Sequence, residues 1–260
     1  MESLMNWLDK YSVIFFDRLD STNLEAERLV NRGTIGEYVI VSSMQSAGQG
    51  RNENSWHSPE GNLYFSIVFN HENDLSKLPQ ISLVTSLSCC EAMHNLLADN
   101  EASLFPRLFQ IKWPNDLLLN GKKQCGILLR SLPYVCANTE PVNYLIVGIG
   151  MNLTSSPKNL NYQTISLGEE GIQYNSKDEV LHKIMERFNE NYKVWQSEGF
   201  SAIRVRWMDC AYNVGKEISF SMRGERFSGT FKEIADDGQI VLELKSGELH
   251  KVATCDIQMN

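Results

Sequence analysis

Long hydrophobic runs are missing from this 260-residue chain. Apolar runs such as residues 13–16 and 145–147 are only a few positions long, whereas a membrane-spanning helix needs about 20 consecutive apolar residues. The first 16 residues contain Glu2, Asp9 and Lys10 and lack the basic segment followed by an apolar stretch that marks a secretory signal. These absences exclude a membrane-spanning or secreted protein and predict a soluble protein of the cytoplasm.

The sequence also lacks paired cysteines of the C-x-x-C type, although it contains six cysteines. A chain of this length, of which 42% is hydrophobic, has enough apolar material to fold without disulfide bonds. Free thiols in a reducing compartment are therefore expected, with Cys89, Cys90 and Cys125 packed inside the fold. The five histidines have no metal-ligand spacing, so the sequence predicts no zinc site.

The chain has fewer positive than negative side chains, with 24 Lys and Arg residues against 32 Asp and Glu residues. Its formal net charge is therefore −8. The sequence pI is correspondingly low, at about 5.2. A nucleic-acid-binding protein steered by bulk positive charge is therefore excluded. Any cations that matter for function must be locally concentrated.

Apolar periodicity predicts a mixed α+β domain at residues 1–212 and a small all-β domain at residues 213–260. The predicted strands of the first domain cover residues 13–16, 38–41, 63–69, 109–112, 117–119, 126–129 and 144–149, and its predicted helices begin near residues 22, 78, 176 and 200. After residue 215, short alternating runs separated by turns predict a small β-barrel.

A strand-to-helix corner is predicted at Ser21-Thr22-Asn23, directly after the first strand. Thr22 with Glu25 forms the S/T-x-x-E pattern of a helix capping box, and Ser176 with Glu179 forms another. The first corner therefore places two hydroxyl groups and an amide at one end of the predicted sheet.

A loop rich in Ser, Gln, Asn and Gly covers residues 42–59. Gly48 and Gly50 allow backbone N–H groups to surround an anion, and Arg51 can make paired hydrogen bonds to a phosphate or carboxylate. The loop does not match the G-x-G-x-x-G dinucleotide-binding pattern, since Glu53 stands where the third glycine is required. An anion-binding loop and a flexible surface loop both remain open at this point.

A second polar segment, Lys112-Trp113-Pro114-Asn115-Asp116, leaves the fourth predicted strand. A carboxylate beside a lysine can bind Mg²⁺ together with phosphate, or orient an amine. A hairpin with polar turn residues is the alternative, and Asn120-Gly121 has the composition of a type I′ hairpin turn. Lys123 is then expected to point inward from the following strand.

Glycines also mark the end of the last strand of this domain, in the segment Gly148-Ile149-Gly150-Met151-Asn152. Such glycines let a ligand lie against the backbone, and Asn152 supplies both a donor and an acceptor. A β-bulge explains the same glycines without a ligand.

Taken together and in this order, the polar segments resemble those of the biotin protein ligase family. By motif, the resemblance extends over residues 12–153, and its most diagnostic part is residues 112–116. The matching segments are Ser21-Thr22-Asn23, Gly48-Gln49-Gly50-Arg51 with Trp56, Gly61 to Ser66, Lys112 to Asp116, Lys123 with Gly126-Ile127-Leu128, and Gly148 to Asn152.

The resemblance implies an α+β fold, with a catalytic domain like that of class II aminoacyl-tRNA synthetases, built from a mixed sheet and helices, and a C-terminal SH3-like β-barrel. Enzymes of this family form biotinyl-5′-adenylate from biotin and ATP with Mg²⁺ and pass the biotinyl group to a lysine of a biotin carboxyl carrier domain. The carrier domain is the expected partner, and a monomer or homodimer is expected. The corner at Ser21 leaves no room for an N-terminal helix-turn-helix domain, so neither nucleic acid nor membrane is an expected partner.

The family motifs imply a role for each matching residue. Lys123, Arg51 and Asp116 would be catalytic, with Asp116 also holding Mg²⁺. Biotin would contact Ser21, Thr22, Asn23, Gln45, Gly48, Gln49, Gly50, Arg51, Lys123, Gly126, Gly148 and Gly150. ATP would contact Arg51, Trp56, Lys112, Asn115, Asp116 and Asn152, with Trp56 stacked on adenine.

The glycine loop departs from the family pattern, which is Gly-Arg-Gly-Arg or Gly-Arg-Gly-Gln followed by Arg-Gly. Here Gln49 replaces the first arginine and Asn52-Glu53 replace the later pair, which leaves Arg51 as the cation of the loop. Weaker retention of the adenylate, or a larger role for Arg51, is the expected consequence. Two rival functions remain, a lipoate or octanoate ligase of the same fold and a non-catalytic biotin-binding or carrier-docking protein.

Overall fold

A seven-stranded mixed sheet is formed by strands that lie between Ser12 and Met151. The computed structural model describes residues 10–34, 36–71, 75–99, 108–134, 142–222, 225–253 and 256–258. The strands are β1 (Ser12–Leu19), β2 (Tyr38–Gln45), β3 (Leu63–His71), β4 (Phe109–Lys112), β5 (Asp116–Leu119), β6 (Lys122–Tyr134) and β7 (Val142–Met151). Their order is β1-β2-β3-β7-β6-β5-β4; β1 and β2 run parallel and the other neighbours antiparallel.

Helices cover both faces of this sheet. They are α1 (Thr22–Asn31), α2 (Leu78–Asp99), α3 (Lys177–Glu198) and α4 (Phe200–Cys210). Successive residues of a strand point to opposite faces, and in β2 Ile40 packs with Ala26 of α1, whereas Val39 and Val41 belong to the core that includes α2, α3 and α4. The central strands are therefore buried on both faces.

The C-terminal part forms a small antiparallel sheet of order β11-β10-β9-β8-β12. Its strands are β8 (Glu217–Met222), β9 (Glu225–Ile234), β10 (Ile240–Glu243), β11 (Leu249–Val252) and β12 (Asp256–Gln258). Buried residues of this sheet, including Phe231 and Ile240, belong to the same apolar cluster as the residues of α2 and α4. The small sheet is therefore packed against the helical layer.

The predicted elements of the first domain are confirmed, mostly with longer strands than expected. Ser176 is confirmed as the N-cap residue of α3, because the Glu179 N–H donates to Ser176 Oγ at 3.1 Å. Glu179 Oε2 accepts from the Asn175 N–H at 2.9 Å, one residue before the N–H that a strict capping box uses. Asn120 and Gly121 have φ of 49° and 74°, as a type I′ turn requires.

The predicted capping box at Thr22 is wrong. Ser21 is the N-cap residue of α1, and among the described residues its side chain makes no capping hydrogen bond. Thr22 Oγ1 instead lies 3.3 Å from Gln45 Oε1, and Glu25 pairs with Arg28 at 2.7 Å. Thr22 thus has its partner on a strand, and Glu25 has one on its own helix.

The cysteines that the structure describes, Cys89, Cys90, Cys125 and Cys210, are free thiols. Cys136 and Cys255 lie outside the described residues. None of the helices among the described residues combines the length and the apolar content needed to cross a membrane.

Candidate active site

The corner between β1 and α1 forms a buried polar network with β2 and β3. The Thr22 N–H donates to Gln45 Oε1 at 2.8 Å. The Ser66 hydroxyl lies 2.8 Å from Thr22 Oγ1 and 2.6 Å from Asn23 Oδ1, and it donates to Asn23 because a carbonyl oxygen can only accept. Ser21 is buried beside this network. The corner therefore presents fixed donors and acceptors at one end of the sheet.

Asn23 fills the space above Gly148 of β7. A Cβ added at Gly148 would lie 2.2 Å from Asn23 Oδ1, which no real side chain tolerates. The amide group of Asn23 also donates to the Leu128 carbonyl at 3.5 Å. Glycine at position 148 thus lets the polar corner approach the middle of the sheet, and the space expected for a ligand holds a side chain of the chain itself.

The glycine loop closes on itself more tightly than its composition predicted. The Gly50 N–H donates to the Asn54 carbonyl at 2.7 Å, and the Trp56 N–H donates to the Gly48 carbonyl at 2.8 Å. At the tip of the loop Asn52 and Glu53 have φ of 53° and 60°, a left-handed conformation that glycine adopts most easily. The loop is therefore a short hairpin with a strained tip.

Trp56 lies against the facing glycines of two strands. Gly126 of β6 and Gly150 of β7 are register partners, and a Cβ added at Gly150 would lie 2.4 Å from Trp56 Nε1. The ammonium group of Lys123 is 5.4 Å from the centre of the indole ring, within cation–π range. Trp56 Nε1 is buried and has no hydrogen-bond partner among the described residues. Trp56 thus covers the slot that these glycines create.

Arg51 reaches from the loop to the turn between β4 and β5. Its guanidinium donates to Asn115 Oδ1 at 3.1 Å, and Asn115 Nδ2 donates to the Ile127 carbonyl at 2.6 Å. Asn115 is buried, so it holds the guanidinium from a fixed position. This contact joins two segments that the sequence placed 64 residues apart.

Lys123 and Asp116 form a shielded ion pair beside Trp56. Lys123 Nζ lies 2.7 Å from Asp116 Oδ1, and the two side chains are 17% and 16% exposed. Burial disfavours the charged ammonium group, but the adjacent carboxylate outweighs it and raises the pKa of Lys123 above its ordinary value. A lysine that is charged at neutral pH therefore lies beside the loop and the turn, and it points inward from β6 as expected.

A buried pair of amides lies at the start of β6 and the end of β7. Gln124 Nε2 donates to the Asn152 carbonyl at 2.9 Å, and Asn152 Nδ2 donates to the Ile165 carbonyl at 3.3 Å. Gln124 Oε1 and Asn152 Oδ1 are both buried without a hydrogen-bond partner among the described residues. Buried acceptors normally have partners, so this pair is suited to accept N–H groups of a ligand. Sequence reasoning identified Asn152 and missed Gln124.

Comparison with known proteins supports one family. Residues 15–152 match the model of the biotin/lipoate A/B protein ligase family. The chain belongs to this family. It is 30% identical to the biotin--[acetyl-CoA-carboxylase] ligase of Paracoccus denitrificans over 235 residues, which cover 88% of this chain and 93% of that protein. It is 29% identical to the bifunctional ligase/repressor BirA of Bacillus subtilis over 252 residues, which cover 95% of this chain and 74% of that protein.

A solved structure from the same family has the same fold. The biotin protein ligase from Aquifex aeolicus in complex with biotin and ATP matches with a TM-score of 0.75 at 26% identity, and the match covers 96% of this chain and 99% of that chain. The mixed α+β architecture expected from the motifs is therefore confirmed.

At the loop position where this chain lacks the usual arginine, an arginine from another strand makes the contact. Gln49 stands where the family motif has arginine, and its Oε1 accepts a 2.8 Å hydrogen bond from Arg130 of β6. Arg130 also forms an ion pair with Glu27 of α1. A cation from the sheet thus reaches the loop position that lacks one. Sequence reasoning missed Arg130 because nothing local marks a strand arginine as the partner of a loop 81 residues away.

Lys112 is the register partner of Asp116, at the end of β4. Lys112, Arg51 and Lys123 thus lie near Asn115 and Asp116, and Arg130 reaches the loop from further along β6, on a chain whose net charge is −8. The structure therefore brings together the polar corner, the glycine loop, the turn at 113–115 and the amide pair around one end of β6 and β7.

Proposed function

We propose that this protein is an ATP-dependent biotin protein ligase, which forms biotinyl-5′-adenylate and transfers the biotinyl group to a lysine of a biotin carboxyl carrier domain. The observation that carries the proposal is the shielded Lys123–Asp116 pair, which lies beside Trp56 while Arg51 reaches the neighbouring Asn115. The Paracoccus denitrificans relative, which is named as a biotin--[acetyl-CoA-carboxylase] ligase, supports it, as does the Aquifex aeolicus structure, which contains biotin and ATP.

Biotin is assigned to the polar corner. Its ureido ring offers two N–H donors and one carbonyl acceptor, and the corner supplies oxygens and N–H groups that packing holds in place. The residues assigned to biotin are Ser21, Thr22, Asn23, Gln45, Gly48, Gln49, Gly50, Arg51, Lys123, Gly126, Gly148 and Gly150. Of these, Gly148 lies under Asn23, and Gly126 and Gly150 lie under Trp56, so the three glycines shape the site by admitting those side chains. The hydrogen bonds of Ser66 add a supporting residue.

Adenylate formation joins the biotin carboxylate oxygen to the α-phosphorus of ATP and breaks the bond to pyrophosphate. A carboxylate is already ionised at neutral pH, so this step requires no general base. Lys123 and Arg51 stabilise the negative charge that develops on the phosphate oxygens. ATP is assigned to Arg51, Trp56, Lys112, Asn115, Asp116 and Asn152, with Gln124 beside Asn152 as a further acceptor.

The proposed ATP site has a carboxylate, Asp116, that is suited to hold a Mg²⁺ ion that enters with ATP. Mg²⁺ in nucleotide sites is usually held by one or two carboxylates together with the substrate phosphates, and Asp116 is a carboxylate on the proposed ATP side. Asp116 would hold the ion, which would neutralise phosphate charge. Lys123 lies against the same carboxylate and maintains the charge balance of the site before ATP binds.

Transfer requires the amine of the carrier lysine to attack the mixed anhydride, forming an amide and releasing AMP. The adenylate must meet this amine before it meets water. Trp56 and the loop that carries it close over the slot at Gly126 and Gly150 and exclude solvent from it. Asp116 is the group assigned to orient the incoming amine.

The remaining features of the proposal come from the sequence and the family. We place the division between the catalytic and C-terminal domains at residues 212 and 213, and we assign an SH3-like barrel to the C-terminal sheet. A cytoplasmic location and a monomeric or homodimeric state complete the proposal.

A mass measurement tests the proposed function directly. A candidate carrier domain incubated with the protein, ATP, Mg²⁺ and biotin should gain the mass of one biotinyl group, and a carrier whose acceptor lysine is replaced by arginine should gain none. Pyrophosphate release should be faster with biotin than with lipoate or octanoate. Faster release with either of those acids would favour the rival ligase, and no release with any of the three would favour a non-catalytic binding protein.

A further inference from the structure

Three metal-ligating side chains meet on the helical side of the protein, where α2 packs against α4. Cys90 and His94 lie four positions apart on α2, so they share one face of the helix, and Cys210 is the last residue of α4. One ligand atom from each of the three residues lies within 4.8 Å of the other two. The sequence predicted no zinc site because the histidines show no ligand spacing among themselves. Cys210 is 120 positions from Cys90, and only the packing of α4 on α2 joins them.

The spacing of these atoms is close to that of a tetrahedral site. Zn–S bonds of about 2.3 Å and Zn–N bonds of about 2.0 Å place neighbouring ligand atoms about 3.5 to 3.8 Å apart. Cys90 Sγ lies 4.0 Å from His94 Nδ1. Side-chain movements of less than about 1 Å would therefore bring the ligands to bonding distance without a change in either helix.

The backbone around the cluster is well fixed. The Tyr212 N–H donates to the Ile111 carbonyl at 2.8 Å, which ties the end of α4 to β4. At the start of the same strand, the Phe109 carbonyl lies 3.7 Å from Cys90 Sγ. Both helices that carry ligands are thus held against one strand, which favours a preformed site.

The carboxylate of Glu91, next to Cys90 in the sequence, already accepts hydrogen bonds from other residues. Glu91 Oε1 accepts from Arg206 at 2.5 Å, and Glu91 Oε2 accepts from Asn191 at 2.9 Å. His94 Nε2 is buried and has no hydrogen-bond partner in the part of the chain that the structure describes. The available donor set is therefore two thiols and one imidazole, which is the chemistry that Zn²⁺ prefers.

We propose that Cys90, His94 and Cys210 bind one Zn²⁺ ion, with a water molecule as the fourth ligand. Both thiols bind as thiolates, so two protons pass to solvent when the ion enters. Cys90 is fully buried, whereas His94 and Cys210 are partly exposed, which gives the ion a path to the cluster. The ion would link α2 to α4 and is independent of the proposed ligase reaction.

Cobalt spectroscopy of the full-length, reduced and metal-free protein tests this site. Co²⁺ should produce the near-ultraviolet absorption of thiolate-to-cobalt charge transfer at one equivalent, and one equivalent of Zn²⁺ should abolish it. Cys210→Ser should lose the absorption, because this partly exposed residue supplies one ligand and lies at the margin of the core. Cys89→Ser is the matched control, since Cys89 is a buried thiol of the same helix outside the cluster, and it should retain the absorption.

Thermal unfolding gives a second readout that does not depend on activity. Zn²⁺ should raise the Tm of the wild type and of Cys89→Ser, and it should leave the Tm of Cys210→Ser unchanged. The proposal is overturned if the wild type shows no thiolate absorption with Co²⁺, or if Cys210→Ser and the wild type bind the ion equally. A Cys90–Cys210 disulfide in the purified protein, with no metal binding after its reduction, would also overturn it.

Discussion

The indole Nε1 of Trp113 donates a 3.1 Å hydrogen bond to the carbonyl oxygen of Gly238. Trp113 begins the turn that carries Asn115 and Asp116, whereas Gly238 lies in the turn between β9 and β10. Gly238 has φ of +82°, and a Cβ added there would lie 3.2 Å from the Pro79 Cβ. Glycine lets the C-terminal sheet approach this closely, so the sheet supports the turn that we assign to ATP.

Neighbouring contacts fix the same part of the C-terminal sheet. Gln80 of α2 donates to the Asp236 carbonyl at 2.7 Å, and Arg204 of α4 forms a 2.8 Å ion pair with the Asp236 carboxylate. The ion pair is largely exposed and contributes little free energy, so the buried Trp113 hydrogen bond is the contact most suited to transmit a change in the sheet to the turn.

Replacing Trp113 by phenylalanine should affect both stability and ATP use. The smaller phenyl ring fills the buried site only in part and the Gly238 carbonyl loses its donor, and the loss of the donor alone should lower the free energy of unfolding by about 1 to 3 kcal/mol. The KM for ATP should rise more than the KM for biotin, because the turn carries proposed ATP ligands. Urea unfolding and initial-rate kinetics measure the two effects.

Trp207→Phe is the matched control for this prediction. Trp207 Nε1 donates to Ser86 Oγ at 3.0 Å, within the helical layer. This variant should lose similar stability with no selective effect on ATP. If both variants raise the KM for ATP equally, the link between the C-terminal sheet and the turn does not exist.

Replacing Asp116 by asparagine should change the pH dependence of adenylate formation. In the wild type the carboxylate raises the pKa of Lys123, so the ammonium group stays charged until the pH exceeds the raised value. Without the carboxylate, the effect of burial, which lowers the pKa of Lys123, is opposed only by the weaker effects of Tyr162 and Cys125. The alkaline decline of the rate should therefore move to lower pH, as measured by biotin-dependent ATP–pyrophosphate exchange.

The conservative variant Asp116→Glu provides the comparison. It keeps the negative charge beside Lys123, so its alkaline decline should stay close to that of the wild type even if its maximal rate falls. An unchanged pH profile in Asp116→Asn would show that Lys123 does not titrate in the rate-limiting step.

Much of the fold was predictable from local pattern. The strands and helices follow apolar periodicity, and the Ser176 N-cap needs only its own neighbours. The capping box at Thr22 failed because Gln45 and Ser66, from other strands, engage its hydroxyl. Local rules hold where a side chain has no better partner elsewhere in the fold.

The sequence indicated which residues belong to the candidate site, but it indicated only part of their spatial arrangement. Motif order identified Arg51, Asp116 and Lys123, but no motif indicated that Trp56 lies on the glycines of β6 and β7. Arg130 was missed for the same reason, since its contact with the loop depends on strand register. Contacts across long sequence separations follow from packing, which a single sequence does not specify.

Replacing Arg51 by alanine should impair adenylate formation. The guanidinium is the cation of the glycine loop and is held by Asn115. Removing one donor aimed at developing negative charge typically costs about 100-fold or more in rate, and free biotinyl-5′-adenylate should appear in solution. Pyrophosphate release and chromatography of the free adenylate measure both effects. Normal turnover with no increase in released adenylate would contradict the assigned role.

Arg130→Ala should increase adenylate release with a smaller effect on its formation. Arg130 holds Gln49 of the loop and does not belong to the residues assigned to ATP. Glu27→Ala is the control, because it removes the ion pair with Arg130 and leaves the hydrogen bond to Gln49 in place. Adenylate release should rise in Arg130→Ala only. Equal adenylate release in both variants would assign the effect to the Arg130–Glu27 ion pair.

Replacing Gly150 by alanine should open the loop. The new Cβ would lie 2.4 Å from Trp56 Nε1, so the indole must leave the slot or the strand must move, at a cost of about 1 to 3 kcal/mol. A displaced Trp56 should expose the loop, and trypsin should cleave after Arg51 faster than in the wild type. Gly168→Ala is the control, because its Cβ would meet its nearest atom at 3.3 Å and should leave cleavage after Arg51 unchanged. If Gly150→Ala resists trypsin as well as the wild type does, Trp56 does not hold the loop closed.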